Sequence, residues 1–225
     1  MIKKYKVTKR AHISRRKFDT IFDCFVQDIL SSKTANIAHV NRNTSNRYYG
    51  IFRELIYSQA LEERKEANLT NGIEVDESYF GPSRVRGKRG RGASRKVIVF
   101  GLLKREGRVH TEIVDSAARK ELMPIIRRVV SSGSDVYTDG WKSYDALAVY
   151  GYNHKQVRHT EDEFARADGT HINGVESFWS WTKRRLAKFN GISKGQFKQY
   201  LLESEWRFNH RKNLRYELRK MLRNS

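Results

Sequence analysis

Apolar positions recur three and four residues apart over residues 14–30, where Phe18, Ile21, Phe22, Phe25, Val26 and Ile29 fall on one face of a helix. Ser31, Ser32 and Thr34 offer N-cap oxygens for a second, short helix over 34–40. The turn-like Asn41-Arg42-Asn43 then leads to a third helix, capped by Thr44 or Ser45, with Tyr48, Ile51, Phe52 and Leu55 on its core face. A polar run from Glu62 to Glu66 carries the chain to Asn71-Gly72, where the periodicity changes.

Beyond Gly72 the repeat is two. Ile73-Glu74-Val75-Asp76 alternates apolar and acidic, which predicts a strand with both carboxylates on one face. Residues 97–103 form a β-branched apolar run, and a turn at Gly107 returns the chain through 108–114, so a hairpin is expected beside the first strand. Leu122, Ile125, Ile126, Val129 and Val130 place a helix over 117–130, which Pro124 either begins or kinks. Residues 135–138 read as a short strand ending at Asp139-Gly140, residues 141–150 as a short helix and 154–159 as another strand. Val175, Phe178, Trp179, Leu186 and Phe189 stripe a long helix over 170–189. A further amphipathic helix spans 193–209, and a basic tail continues helical through Leu214, Leu218 and Leu222.

Three strands, helix, strand, helix, strand and long helix make an α/β fold: a mixed sheet flanked by helices, preceded by a small all-α domain. The expected domains are 1–70 (helix-turn-helix), 71–210 (sheet-bearing) and 211–225 (basic tail).

Charge narrows the partners. The 225 residues carry 45 Lys+Arg against 25 Asp+Glu, a net charge of +20, heaviest at the two ends. Tyr, Phe and Trp are interleaved with that charge, and together they point to a polyanion, since each cation placed on a phosphate releases counterions. The single cysteine, Cys24, excludes a disulfide framework and a Cys-rich zinc ribbon. With no signal-peptide run and no window of 18 apolar residues, the expectation is a soluble, intracellular (cytoplasmic) protein with no membrane partner.

Two stretches suit DNA. Helix, short helix, tight turn and helix is helix-turn-helix order, with Arg42, Asn43, Ser45, Asn46 and Arg47 near the start of the last helix, where such side chains reach base edges and phosphates. Any three-helix packing unit gives the same pattern. The loop 81–96 has seven basic residues, among them Arg86, Lys88, Arg89 and Arg91, in a mobile, glycine-rich setting suited to a phosphate backbone or to a plain hairpin tip.

Asp76 on the first strand, Asp139 after the fourth and Glu176 on the long helix form the candidate chemistry. A sheet wound in this order lets the first and fourth strands be neighbours while the closing helix crosses their ends. Their oxygens suit Mg2+ or Mn2+, and two such ions stabilise the attacking and leaving oxygens of a phosphodiester displacement. Three ordinary turn and surface acids are the other reading.

The segments EVDESYFG (74–81), KRGRG (88–92), VYTDGWKSY (136–144), HINGVESFW (171–179) and KFNGI (188–192) resemble, in matching order, the DDE transposases of bacterial insertion sequences. The group is the small IS-fifteen-ninety-five (ISXO-two-like) one, and the likeness covers roughly residues 14–210. The resemblance implies an RNase H-like core, two divalent ions (Mg2+, with Mn2+ substituting), and cutting and joining at the ends of a mobile element. Asp76 and Asp139 match the first two acids. Members use either Asn or Glu in the third position, and this chain has Asn173 and Glu176; the charged Glu176 is preferred as ligand and Asn173 kept as a supporting or alternative one. Lys183 and Arg184 are expected on the terminal phosphates, and His171 either places substrate or caps the helix. Double-stranded DNA and a homo-oligomer assembled on it are the implied partners. A helix-turn-helix regulator with a silent core and an RNase H-type nuclease or resolvase are the alternatives.

Overall fold

The computed structural model describes residues 13–81, 96–139, 144, 146–157 and 172–224. In chain order the elements are α1 (Arg15–Val26), α2 (Ser31–Ile37), α3 (Arg42–Lys65), β1 (Ile73–Phe80), β2 (Val97–Lys104), β3 (Val109–Val114), α4 (Arg119–Val129), β4 (Asp135–Asp139), β5 (Asn153–Val157), α5 (Asn173–Ala187), α6 (Lys194–Asn209) and α7 (Leu214–Asn224). They divide into two compact units, residues 1–62 with 186–225, and residues 63–185. The packing units therefore part elsewhere than the 70/71 and 210/211 boundaries read from pattern and charge.

The physical reason lies in the core of the first unit. Phe18, Phe22 and Phe25 of α1 meet Tyr48, Tyr49 and Phe52 of α3, and the same cluster takes in Trp206 of α6 and Leu218 and Leu222 of α7. The rings cross edge to face, Phe22 and Phe52 at 5.9 Å and 88°, the arrangement their quadrupoles favour. Buried in the same unit, Glu203 of α6 accepts from Arg53 Nε and from Arg207 Nε, each at 2.9 Å, and Arg207 also donates to the Phe25 carbonyl at 2.7 Å. The C-terminal residues thus complete the core of the N-terminal helices.

Two helix starts differ from the sequence reading. α2 begins at Ser31 rather than at 34, and its N-cap position is Leu30, with no side-chain cap. The Ser31 hydroxyl donates instead to Asn46 Oδ1 at 2.6 Å, and the Ser45 hydroxyl donates to the Ser31 carbonyl at 3.0 Å, so both serines tie α2 to α3. α3 starts at Arg42, where Asn41 Oδ1 accepts from the Asn43 amide at 2.8 Å; Asn41 is the cap, not Thr44 or Ser45.

In the second unit the five strands run in the order β3-β2-β1-β4-β5. β1 pairs antiparallel with β2 and β2 with β3, while β1 and β4, and β4 and β5, are parallel. This is the expected mixed sheet, antiparallel across β3, β2 and β1 and parallel across β1, β4 and β5. Alternation along β1 sends Ile73 and Val75 to one face, where Leu122, Ile126 and Val129 of α4 join them, and Glu74, Asp76 and Phe80 to the other, which α5 covers. β1 runs four residues beyond the expected end, to Phe80. Pro124 lies inside α4, which starts earlier, at Arg119. Of the helix expected over 141–150, the described part holds a 3-10 turn, Ala148–Tyr150, with Tyr144 also in 3-10 conformation, and residues 141–143 and 145 lie outside the described residues. The last strand is Asn153–Val157, with residues 158 and 159 outside them. Among the described residues no helix is long and apolar enough to cross a membrane.

Candidate active site

The register of two parallel strands brings the first two acids together. β1 and β4 pair through Ile73↔Val136 and Glu74↔Tyr137, so counting forward sets Asp76 level with Asp139 on the same face. The paired ladder ends before the acids, and Asp139 is the last residue of β4, where an adjoining parallel strand leaves room beside its carboxyl end.

α5 lies over that face. Gly101 of β2, directly opposite Asp76, leaves the space that the Trp179 ring fills: a Cβ there would stand 2.4 Å from Trp179 Cζ2. Phe80 meets Trp179 edge to face at 5.9 Å, and the Lys183 ammonium stands 5.6 Å from the Phe80 ring centre. The helix is anchored at its start by Glu74, which is 1% exposed. Its Oε2 accepts from the Val175 amide at 2.9 Å and its Oε1 from Arg105 Nε at 3.2 Å. A carboxylate in the first turn of a helix satisfies an amide without an intrahelical partner and complements the helix dipole. Gly174 makes the approach possible, since a Cβ there would lie 2.8 Å from Glu74 Oε2.

The acids share one electrostatic field. Burial raises the Asp76 carboxyl to about 6, a backbone hydrogen bond opposes the rise, and the charges of Asp139 and Glu176 add to it. Glu77, on the opposite face of β1, rises to about 7 through burial, against the hydrogen bond from the Tyr144 hydroxyl at 2.5 Å and with the charges of Asp76 and Asp139. Partial burial lowers the Lys183 ammonium, Asp76 acts to raise it and Lys96 to lower it. Asp76 and Asp139 are half-buried, whereas Asn173, Glu176, Lys183 and Arg184 are exposed on α5, with Arg184 donating to the Ser180 hydroxyl one turn back.

The donor set suits a hard divalent cation. Asp139 and Glu176 add negative charge around the Asp76 carboxylate, and their repulsion is the kind a cation relieves. Among the described residues no three acidic, histidine or cysteine side chains gather closely enough to hold an ion by themselves. Mg2+ commonly takes only one or two carboxylates and keeps water and phosphate oxygens for the rest, so the Asp76–Asp139 pair fits that demand.

The other residues singled out by the sequence fall variously. Arg42, Asn43, Asn46 and Arg47 are exposed on the first turns of α3, but Ser45 is buried and is removed from any contact with DNA. Arg86, Lys88, Arg89 and Arg91 of the basic loop, and His171, lie outside the described residues. Sequence reasoning placed Glu74 beside Asp76 without giving it work, and passed over Glu77 and Tyr144. The close Gly174 was the signal for the first, and the two adjoining acids Asp76-Glu77 for the second.

Two relatives bear names that refer to mobile elements. An "uncharacterized transposase-like protein" of Haemophilus influenzae is 45% identical over 103 residues, 46% of this chain and 82% of that protein. An "uncharacterized protein in transposable element ISH50" of Halobacterium salinarum is 31% identical over 170 residues, 68% of this chain, which spans 58% of that relative. Among solved structures, that of the Mos1 strand transfer complex aligns with 96% of this chain and 80% of its own at 12% identity, with a TM-score of 0.37. The family model described as the ISXO2-like transposase domain matches residues 68–209, a span that holds the whole sheet, Asp76, Asp139 and α5. By that match the chain belongs to the ISXO2-like transposase family.

Proposed function

We propose that the chain is a divalent-metal-dependent DNA transposase that nicks the ends of an insertion sequence and joins the freed 3′-hydroxyls to target DNA. The observation that carries the reading is the level placement of Asp76 and Asp139 on adjacent parallel strands of a transposase-family sheet, with Glu176 in the same field. Asp76 and Asp139 would hold the ions, two as in other phosphodiester-cleaving sites, with Glu176 or Asn173 completing one of them. When bound, Mg2+ or Mn2+ supplies an activated water and stabilises the charge on the attacking and leaving oxygens.

The chain's own residues do the rest. Glu74 fixes the start of α5 and with it the direction of Asn173 and Glu176. Trp179, buried and packed on Gly101, keeps that helix against the strand that faces Asp76. Lys183, exposed beside the acids and held close to Phe80, is positioned for a scissile or terminal phosphate. No side chain is needed as a nucleophile, because the same position serves first water and then the DNA 3′-hydroxyl. Arg42, Asn46 and Arg47 serve end recognition, Asn46 oriented by its bond from Ser31, and Arg86, Lys88, Arg89 and Arg91 serve target or flanking DNA. Two ends must be handled together, so assembly of more than one copy on DNA follows from the chemistry.

A DNA-binding regulator with a silent core draws support from one observation, the lack of three converging metal-binding side chains among the described residues. Purified protein incubated with a labelled duplex carrying the DNA that flanks its own gene separates the two. Metal-dependent 3′-end nicking and strand transfer, both abolished in Asp139→Asn, support the transposase. Tight binding without cleavage in Mg2+ or Mn2+ overturns it in favour of the regulator.

A further inference from the structure

The solvent face of α7 carries a charge pattern for which the acids and their helix have no use. At 100° per residue, Arg215, Arg219, Arg223, Tyr216 and Lys220 occupy one arc of roughly 140°. Leu214, Leu218, Met221 and Leu222 take the opposite arc and pack into the aromatic core of the helical unit. Where α6 turns into α7, Arg211, Lys212, Arg215, Tyr216 and Arg219 line an open depression of about 740 Å3. Tyr216 is 64% exposed there.

The chemistry of the surface selects its partner. A basic amphipathic helix can bind a membrane, but only by burying its apolar arc in lipid, and here that arc is already in the protein core, with Leu218 0% and Leu222 5% exposed. The cations must therefore meet a polyanion at the surface. Arg215 and Arg219 are braced against Asp23 and Asp19 of α1, and Arg211 donates to the Phe208 carbonyl while stacking on its ring, so the rim is a preset shape rather than a brush of loose side chains. A concave basic rim around an exposed aromatic ring suits a base whose face is free, which a paired base within a duplex does not offer.

We propose that this corner is a second nucleic-acid site, one that takes an unpaired nucleotide of a DNA strand: the base stacks on Tyr216, and the flanking phosphates lie against Arg211 and Lys212. The inference rests on the reading of the chain as a DNA-handling protein and adds a single-strand contact to it. Its place in the reaction is at a nicked end, on the terminal nucleotide once its base pair has opened.

The test is fluorescence anisotropy of the full chain in EDTA, so that cleavage plays no part, using a labelled duplex with and without a short 3′ single-stranded tail. The tail is expected to tighten wild-type binding. Tyr216→Ala should remove that gain, a loss of about tenfold or more, while leaving affinity for the blunt duplex unchanged, and Tyr216→Phe should keep it. Lys212→Gln should weaken binding of the tailed probe and reduce the slope of log K against log salt by about 0.7. Equal binding of both probes by wild type, or an unchanged tail effect in Tyr216→Ala, overturns the single-strand site while duplex binding persists. Failure of wild type to bind either probe overturns the DNA reading itself.

Discussion

The Glu74 carboxylate on β1 accepts the Val175 amide of α5 at 2.9 Å, joining residues 101 positions apart and setting the helix that carries Asn173 and Glu176. Glu74→Ala removes the acceptor of that buried amide and one acceptor of the Arg105 guanidinium, which should cost about 1–3 kcal/mol. Glu74→Gln keeps an acceptor oxygen but not the charge, and should cost less. The two variants, compared by urea unfolding and by rate of end nicking, should fall in the same order in both measurements. A full nicking rate in a folded Glu74→Ala would show that α5 holds its position without this anchor.

Two glycines should respond to alanine with opposite signs. At Gly101 a Cβ meets the buried Trp179 ring at 2.4 Å, so Gly101→Ala must displace the ring or the strand opposite Asp76. A loss of about 1–3 kcal/mol and of most nicking activity is expected. At Gly50, exposed within α3, nothing lies within 4 Å of an added Cβ, and Gly50→Ala should stabilise the protein by about 1 kcal/mol through helix propensity alone. Thermal melts of both variants read the difference directly, and a destabilised Gly50→Ala would contradict the open surface around it.

The strands and helices were legible because their period is local. Ile73-Glu74-Val75-Asp76 declares its alternation in four residues, and the register of β1 with β4 then sets Asp76 level with Asp139. What was not legible depends on distant partners. Ser31 reads as a cap until α3 is folded beside it, when its hydroxyl goes to Asn46. Trp206 reads as part of the 71–210 domain and Leu218 and Leu222 as part of a basic tail, yet all three complete the core that Phe18 and Phe52 begin. Glu77 stands out only as the acid next to Asp76, and its partner, the Tyr144 hydroxyl, lies 67 residues on.

Glu203 stands between two arginines in the helical unit, 1% exposed, with Arg53 Nε and Arg207 Nε both at 2.9 Å. Neutralising the shared acid of a buried ionic set takes a counter-charge from both arginines, although Arg207 keeps Asp28 and the carbonyls of Phe25 and Val26, and costs about 3–5 kcal/mol at most. Glu203→Gln should therefore lower the urea midpoint sharply, far more than neutralising Arg15, whose side chain is 62% exposed. If Glu203→Gln melts with wild type, water reaches Arg53 and Arg207 despite their burial.

Glu112 of β3 gives the sheet unit a defined acid limit. Burial alone would push its carboxyl up, but the hydrogen bond from His110 at 2.9 Å, the charge of Arg64 and the hydrogen bond from Arg128 at 2.7 Å outweigh it and hold the group at about 2, below its ordinary 4.5. A carboxylate with a depressed folded value favours folding once the pH exceeds the unfolded value, and loses that contribution as the pH falls through the folded one. The stabilisation is thus complete above about 4.5 and drains away between there and about 2. Glu112→Gln, which does not titrate, should be less stable than wild type at pH 6, and the gap should close across that window in urea unfolding measured from pH 6 to pH 2. A gap that stays constant down to pH 2 would mean that the charge of Glu112 does not hold Arg64, Arg128 and His110 together, and that its amide substitute merely packs less well.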